Sequence, residues 1–181
     1  MTSPLDPATA SHDSDASTDS AGSASATPLS RVTVLGTGVL GAQIAFQAAY
    51  TGSDVVAYDI GDEQIAVARA RFDGLAATYL TPQGLPGATE ESTQEALRRV
   101  TFSTDLAEAV ADADLVVEAV PESLELKRDL YARLAPLLPE RTVLATNSST
   151  LLPSDLVDAT GRPEKFLALH FANLIWVNNT A

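Results

Sequence analysis

The sequence predicts an α/β fold, a doubly wound parallel sheet with an inserted helical hairpin, on three observations. Six short apolar runs alternate with stretches of helical periodicity, the pattern left by parallel strands and their crossover helices. The central runs are apolar almost without interruption, as suits strands covered on both faces. The first of them, Arg31 to Leu35, feeds directly into Gly36-Thr37-Gly38-Val39-Leu40-Gly41, a glycine loop that opens a helix.

Each glycine of that loop has a physical reason. Gly36 lets the chain turn sharply out of the strand, Gly38 lets a pyrophosphate approach the backbone, and Gly41 lets the helix pack tightly on the strand. The free N–H groups of Val39, Leu40 and Gly41 and the helix dipole then favour a diphosphate. The helix runs from Val39 to Thr51 and ends at Gly52. A second strand, Asp54 to Tyr58, ends at Asp59, which follows Gly41 at close to the ~20 residues expected of a ribose-binding carboxylate. An acid there accepts hydrogen bonds from the free diol of NAD and repels the 2′-phosphate of NADP. The next residues, Ile60-Gly61-Asp62-Glu63, bring no arginine to hold that phosphate. NAD is therefore the expected cofactor.

A helix follows over Asp62 to Leu80, with Ile65, Ala68, Phe72, Leu75 and Tyr79 in one stripe. The Pro- and Gly-rich stretch from Thr81 to Thr89 breaks it, and a shorter helix, Glu90 to Arg99, completes the hairpin. Val100 to Ser103 reads as strand three, with Thr104 or Asp105 capping a short helix that ends near Asp112. Asp114 to Val120 reads as strand four. Its one internal acid, Glu118, is either a buried, paired carboxylate that orients the site or a structural acid. Glu122 to Leu138 reads as a helix with Leu126, Leu130 and Leu134 on one face, and with the pairs Glu125/Arg128 and Asp129/Arg133 on another. Thr142 to Thr146 is strand five and Asn147 to Thr150 the loop beyond it. Ser154 is expected to cap a helix from Asp155 to Thr160, and Phe166 to His170 to form strand six. Phe171 to Ala181 has no evident partner. Ligands of such sheets bind beyond the carboxyl ends of the strands. Asp59, Glu118 to Glu122, Asn147 to Thr150 and His170 all fall there.

Composition narrows the function classes. The chain has 181 residues, 45% of them hydrophobic, and a formal net charge of −13. That charge argues against a nucleic-acid partner. There is no cysteine, which excludes disulfides and thiolate chemistry. No apolar run approaches the ~18 residues of a membrane span. The N-terminus has neither the basic start nor the apolar core of a signal peptide, so a cytoplasmic location is expected. Residues 1–30 are rich in Ser, Thr, Ala and Asp and carry no Lys or Arg, and they read as a disordered acidic tail in which His12 is solvated. Residues 31–181 read as the folded domain.

Four stretches together carry a resemblance: Val34 to Ala45, Asp114 to Glu122, Ala145 to Thr150, and Arg162 to Asn173. In order and spacing they resemble the NAD-binding domain of the 3-hydroxyacyl-CoA dehydrogenase family, over about residues 31–181. The resemblance implies a Rossmann dinucleotide-binding fold and an oxidoreductase of fatty-acid metabolism that converts the 3-hydroxyl of an L-3-hydroxyacyl-CoA, or of a related hydroxy acid, to the ketone. It implies that His170 is the general base, that Ser149 binds the substrate oxygen, and that Asn173 helps shape the site. It also implies that Glu122 and Lys127 contact the cofactor. Read from the residues alone, His170 is the only histidine outside the tail, and imidazole is a side chain suited to exchanging protons in catalysis, while Lys127 reads equally well as a solvated helix lysine.

The pattern departs from the family in three places. The glutamate that orients the family's histidine would fall one position beyond Ala181. The family's helical C-terminal domain has no counterpart, so the chain reads as a fragment, with a homodimer or a partner chain supplying that domain. The family's His-Phe-Phe-Asn-Pro is His170-Phe-Ala-Asn-Leu174 here. The hairpin has no lysine for CoA phosphates, and Arg69, Arg71, Arg98 and Arg99 are the candidates to replace it. A second expectation is a non-catalytic NAD-binding module whose uncovered stretch, Leu174 to Val177, binds a partner.

Overall fold

The computed structural model describes residues 29–178. The acidic tail, His12 included, lies outside the described residues except for Leu29 and Ser30. Six strands, β1 (Arg31–Leu35), β2 (Asp54–Tyr58), β3 (Val100–Ser103), β4 (Leu115–Glu118), β5 (Val143–Thr146) and β6 (Phe166–Ala168), form one sheet. All neighbours are parallel, in the order β3-β2-β1-β4-β5-β6. The order reverses between β1 and β4, which places a crevice at their carboxyl ends.

Alternate residues of the central strands feed two separate cores. Val34 and Val117 point to one face, Leu35 and Val116 to the other, and all four are at most 1% exposed. That is why these runs are apolar throughout rather than alternating. The first core lies under α1 (Val39–Tyr50), α2 (Asp62–Tyr79) and α3 (Glu90–Arg98). Helix α1 is packed between the sheet and the hairpin of α2 and α3, so Ala42, Ile44, Ala45, Phe46 and Ala49 are all buried. The stripe on α2 meets it: Phe46 stands edge-on to Tyr79 and Phe72, at 4.8 and 6.2 Å between ring centroids. Thr89 and Ser92 form a reciprocal cap at the start of α3. The second core lies under α4 (Leu106–Val110), α5 (Leu124–Leu134) and α6 (Pro153–Leu156).

Several elements differ from the sequence expectation for identifiable reasons. Helix α5 begins at Leu124 because Ser123 is its cap, accepting from the Leu126 N–H. Glu122 therefore precedes the helix. The buried face of α5 carries Lys127, Leu130, Tyr131 and Leu134, and Leu126 is exposed. Arg128 donates to the Asp155 carbonyl instead of pairing with Glu125, whereas Asp129 and Arg133 do pair, at 3.9 Å. Ser154 is not a cap, because Pro153 opens α6 and Ser154 lies in its first turn. Strand β6 stops at Ala168, two residues before His170.

The largest difference is at the C-terminal end. Residues Ile175–Asn178 form a short helix, α7, and Ile175 and Trp176 are 5% and 8% exposed, docked into the first core with the Trp176 ring 5.2 Å from that of Tyr79. The stretch expected to be uncovered thus covers its own domain, and only Leu174 and Val177 of it remain exposed. The spacing of Ile175 and Trp176 was too short for a periodicity to show. No helix among the described residues is long and apolar enough to cross a membrane.

Candidate functional site

The glycine loop is shaped by backbone. Gly36 has φ +95°, and a Cβ there would stand 2.9 Å from the Ala119 carbonyl oxygen, just past the end of β4. A Cβ at Gly41 would stand 2.0 Å from the Gly36 carbonyl oxygen, so the first turn of α1 lies directly on the loop. At Gly38, by contrast, nothing lies within 4 Å of the Cβ position. Helix α1 starts with no side-chain cap and no acid in its first turn, leaving the N–H groups of Val39, Leu40 and Gly41 without intrahelical acceptors.

Asp59, just past β2, anchors the same loop. Its Oδ2 accepts from the Thr37 N–H at 2.8 Å and from the Thr37 hydroxyl at 2.5 Å, and its Oδ1 accepts from the Ile60 N–H at 2.9 Å. The Arg71 guanidinium donates to the Thr37 carbonyl. A cleft of about 650 Å³ opens here, lined by Gly36, Gly38 and Asp59 on one side and by Leu126, Leu130 and Arg133 of α5 on the other. Open space at Gly38, an uncapped helix start and a carboxylate at the rim fit a dinucleotide.

The second half of the site is built from side chains. Glu118, the last residue of β4, is wholly buried. Its carboxylate takes both Oε distances from Lys127 Nζ, 2.7 and 2.9 Å, the Tyr131 hydroxyl at 2.6 Å, the Thr146 hydroxyl at 2.9 Å and the Val120 N–H at 2.9 Å. Lys127, 1% exposed, also stands 3.3 Å from Glu122 Oε2. It is therefore no solvated lysine. With both Glu118 oxygens and Glu122 before it, its three N–H donors are matched, and it lies behind Glu122 rather than on the surface. Burial, and then the adjacent Glu118 charge, push the Tyr131 phenol up, so it stays a donor.

Glu122 grips the loop beyond β5. Its Oε1 accepts from the Ser148 hydroxyl at 2.5 Å, the Ser149 N–H at 3.1 Å, and the Thr150 N–H and hydroxyl at 2.9 Å each. Burial pushes this carboxyl up, but the Ser148 and Thr150 hydrogen bonds and the Lys127 charge outweigh it and leave the pKa at about 2.

Ser149 is exposed on this loop, and His170 is exposed past the end of β6. Asn147 links the two segments: its Oδ1 accepts from the N–H of Phe171, at 2.8 Å, next to the histidine. Asn173 is exposed on the same segment, and Gln43 of α1 holds Leu174 by accepting its N–H at 2.9 Å. Leu174 is the only described non-glycine residue with positive φ. The sequence did not single out Gln43, Tyr131, Thr146 or Ser148. Thr146 and Tyr131 were within reach, since Thr146 pairs with Glu118 in the β4–β5 register and Tyr131 lies one helical turn after Lys127.

The arginines of the hairpin are engaged within the domain. Arg98 pairs with Glu95 at 2.8 Å, and Arg99 reaches the Gly52 carbonyl and Asp54 at the amino end of β2, opposite the cleft. The Arg69 guanidinium lies over the Phe102 ring at 4.4 Å. Arg71 reaches the glycine loop, an arginine that the residues directly after Asp59 did not reveal.

Comparison with known proteins agrees with this geometry. The family model for the 3-hydroxyacyl-CoA dehydrogenase NAD-binding domain matches residues 31–180. The mitochondrial hydroxyacyl-coenzyme A dehydrogenase of Rattus norvegicus is 37% identical over 149 residues, 80% of this chain and 47% of its own length. The 3-hydroxyadipyl-CoA dehydrogenase of Escherichia coli is 39% identical over 142 residues, 78% of this chain and 29% of its own length. Among solved structures, a diketoreductase described as acting on dicarbonyl compounds is 61% identical, with a TM-score of 0.82 over 86% of this chain and 54% of that one. The 3-hydroxybutyryl-CoA dehydrogenase of Escherichia coli is 36% identical, with a TM-score of 0.75 over 83% of this chain and 31% of that one. The chain spans about half the length of the mammalian relatives it matches.

Proposed function

The chain belongs to the 3-hydroxyacyl-CoA dehydrogenase family and carries its NAD-binding domain; on that premise we propose that it serves the NAD-dependent interconversion of a secondary alcohol and a ketone on a small molecule. The observation that carries this reading is the uncapped start of α1 beside the open Gly38, with Asp59 at the rim. Gly36, Gly38 and the N–H groups of Val39, Leu40 and Gly41 would hold the diphosphate, and Asp59 would take the ribose diol. Glu122, with Lys127 behind it, would complete the cofactor site, as the family resemblance implies.

Bound NAD supplies the hydride acceptor. One ring nitrogen of His170 takes the hydroxyl proton as the C–H hydride leaves and the carbonyl forms. The Ser149 hydroxyl donates to the substrate oxygen, which gathers negative charge on the way. Asn173 and Asn147 shape the segment that carries the histidine.

The family as a whole points to a 3-hydroxyacyl-CoA, or a related hydroxy acid of fatty-acid metabolism, as substrate. A second reading, a CoA-free dicarbonyl compound, is favoured by the 61% identity to the diketoreductase. The internal engagement of Arg98, Arg99 and Arg69 also favours it, because it leaves the hairpin short of cations for CoA phosphates. The decisive experiment titrates the chain with NAD and then NADP by calorimetry, and assays hydride transfer with 3-hydroxybutyryl-CoA and with a CoA-free dicarbonyl compound. We expect saturable NAD binding, weakened at least tenfold by Asp59→Ala. Any turnover is expected to be lost in His170→Ala. A folded chain that fails to bind NAD overturns the reading.

A further inference from the structure

We propose that Glu118 and Tyr131 are positioning residues: through Lys127 they aim the Glu122 carboxylate, and Glu122 holds the loop that presents Ser149. The proposal rests on the functional reading above only for the role of Ser149. The chain of contacts is continuous. Tyr131 and Thr146 donate to Glu118 Oε2, at 2.6 and 2.9 Å. Lys127 Nζ bridges both Glu118 oxygens, at 2.7 and 2.9 Å, and reaches Glu122 Oε2 at 3.3 Å. Glu122 Oε1 then collects the Ser148, Ser149 and Thr150 donors.

Charge decides the direction of the device. The Glu118–Lys127–Glu122 cluster carries two negative charges and one positive. A lone Lys127–Glu122 pair would close on itself, with the ammonium drawing both Glu122 oxygens. Glu118 competes for that ammonium from the buried side, which leaves Oε1 of Glu122 free for the loop. Tyr131 and Thr146 complete the hydrogen bonding of Glu118, so its charge is tolerated in the core. Glu118 Oε1 also accepts the Val120 N–H, and the Ala119–Val120 backbone lies against Gly36, whereas the side-chain anchor of the glycine loop is Asp59.

The experiment is amide hydrogen exchange on the 181-residue chain and its Glu118→Gln and Tyr131→Phe variants, with NAD affinity measured alongside. In Glu118→Gln the amides of Ser149 and Thr150 are expected to exchange at least tenfold faster. In Tyr131→Phe, which preserves shape and charge, they exchange at least threefold faster. The β1 amides are expected to stay unchanged. Loop exchange that is unaltered, or that rises only in step with β1, overturns the proposal. If Glu118→Gln does not fold, Tyr131→Phe decides it alone. Exchange needs neither cofactor nor turnover, so failure of the functional reading would show separately, as absent NAD binding by the unsubstituted chain.

Discussion

Asp59 and Glu122 each stand past the carboxyl end of a strand, and each holds a loop through one carboxylate oxygen. Asp59 Oδ2 takes two donors of Thr37 and fixes the glycine loop, while Glu122 Oε1 takes donors from four successive residues, Ser148 to Leu151, and fixes the loop of Ser149. Behind them the two regions differ. The glycine loop is supported by backbone packed on backbone, at Gly36 against Ala119 and at Gly41 against Gly36. The Ser149 loop is supported by a buried ion pair, Glu118 with Lys127, and its hydrogen bonds. A backbone support tolerates no added atom; an ionic support tolerates no lost charge.

The sharpest way to break this contrast is Lys127→Met. The substitution keeps the volume and leaves Glu118 buried without its cation, a change that costs about 3–5 kcal/mol in comparable sites. Urea unfolding is expected to show a loss of that order. A loss below about 1 kcal/mol would mean that Glu118 takes up a proton and stays neutral, and that the second region does not depend on charge.

Gly41→Ala probes the first region. The new Cβ meets the Gly36 carbonyl oxygen at 2.0 Å, and both partners are backbone, so neither rotates aside. Helix α1 has to move off the loop, at a cost of about 3 kcal/mol. NAD affinity should fall with it, because the same turn supplies the N–H groups. Unchanged stability on denaturant unfolding would show that the contact relaxes without disturbing the loop.

The two regions were also unequally legible in the sequence. Gly36, Gly38, Gly41 and Asp59 lie within one strand–helix–strand unit, so spacing alone placed them. The strands and the hairpin followed from periodicity in the same way. The support for Ser149 draws on β4, α5 and β5, and no local pattern joins Glu118 to Lys127, Tyr131 and Thr146. Lys127 read as well for solvent as for a cofactor contact, because helix position does not reveal a buried carboxylate on the facing strand. Ile175 and Trp176 were misjudged for a related reason. Their partner, Tyr79, is distant in sequence, and a helix of one turn leaves no periodicity to read.

Gly38→Ala should disturb the fold least and isolates what the glycine loop is for. Its backbone, at φ −57°, is open to any residue, and the added Cβ meets nothing within 4 Å. Stability should therefore stay within about 0.5 kcal/mol, as for substitutions that touch nothing. The methyl group does project where a diphosphate has to approach the helix start, so NAD affinity is expected to fall at least tenfold, or about 1.4 kcal/mol. Loss of affinity at constant stability would separate Gly38 from Gly36 and Gly41, whose hydrogen-sized side chains serve packing. Equal destabilisation by Gly38→Ala and Gly41→Ala would mean that all three glycines serve the fold and that the open space at Gly38 has no ligand to receive.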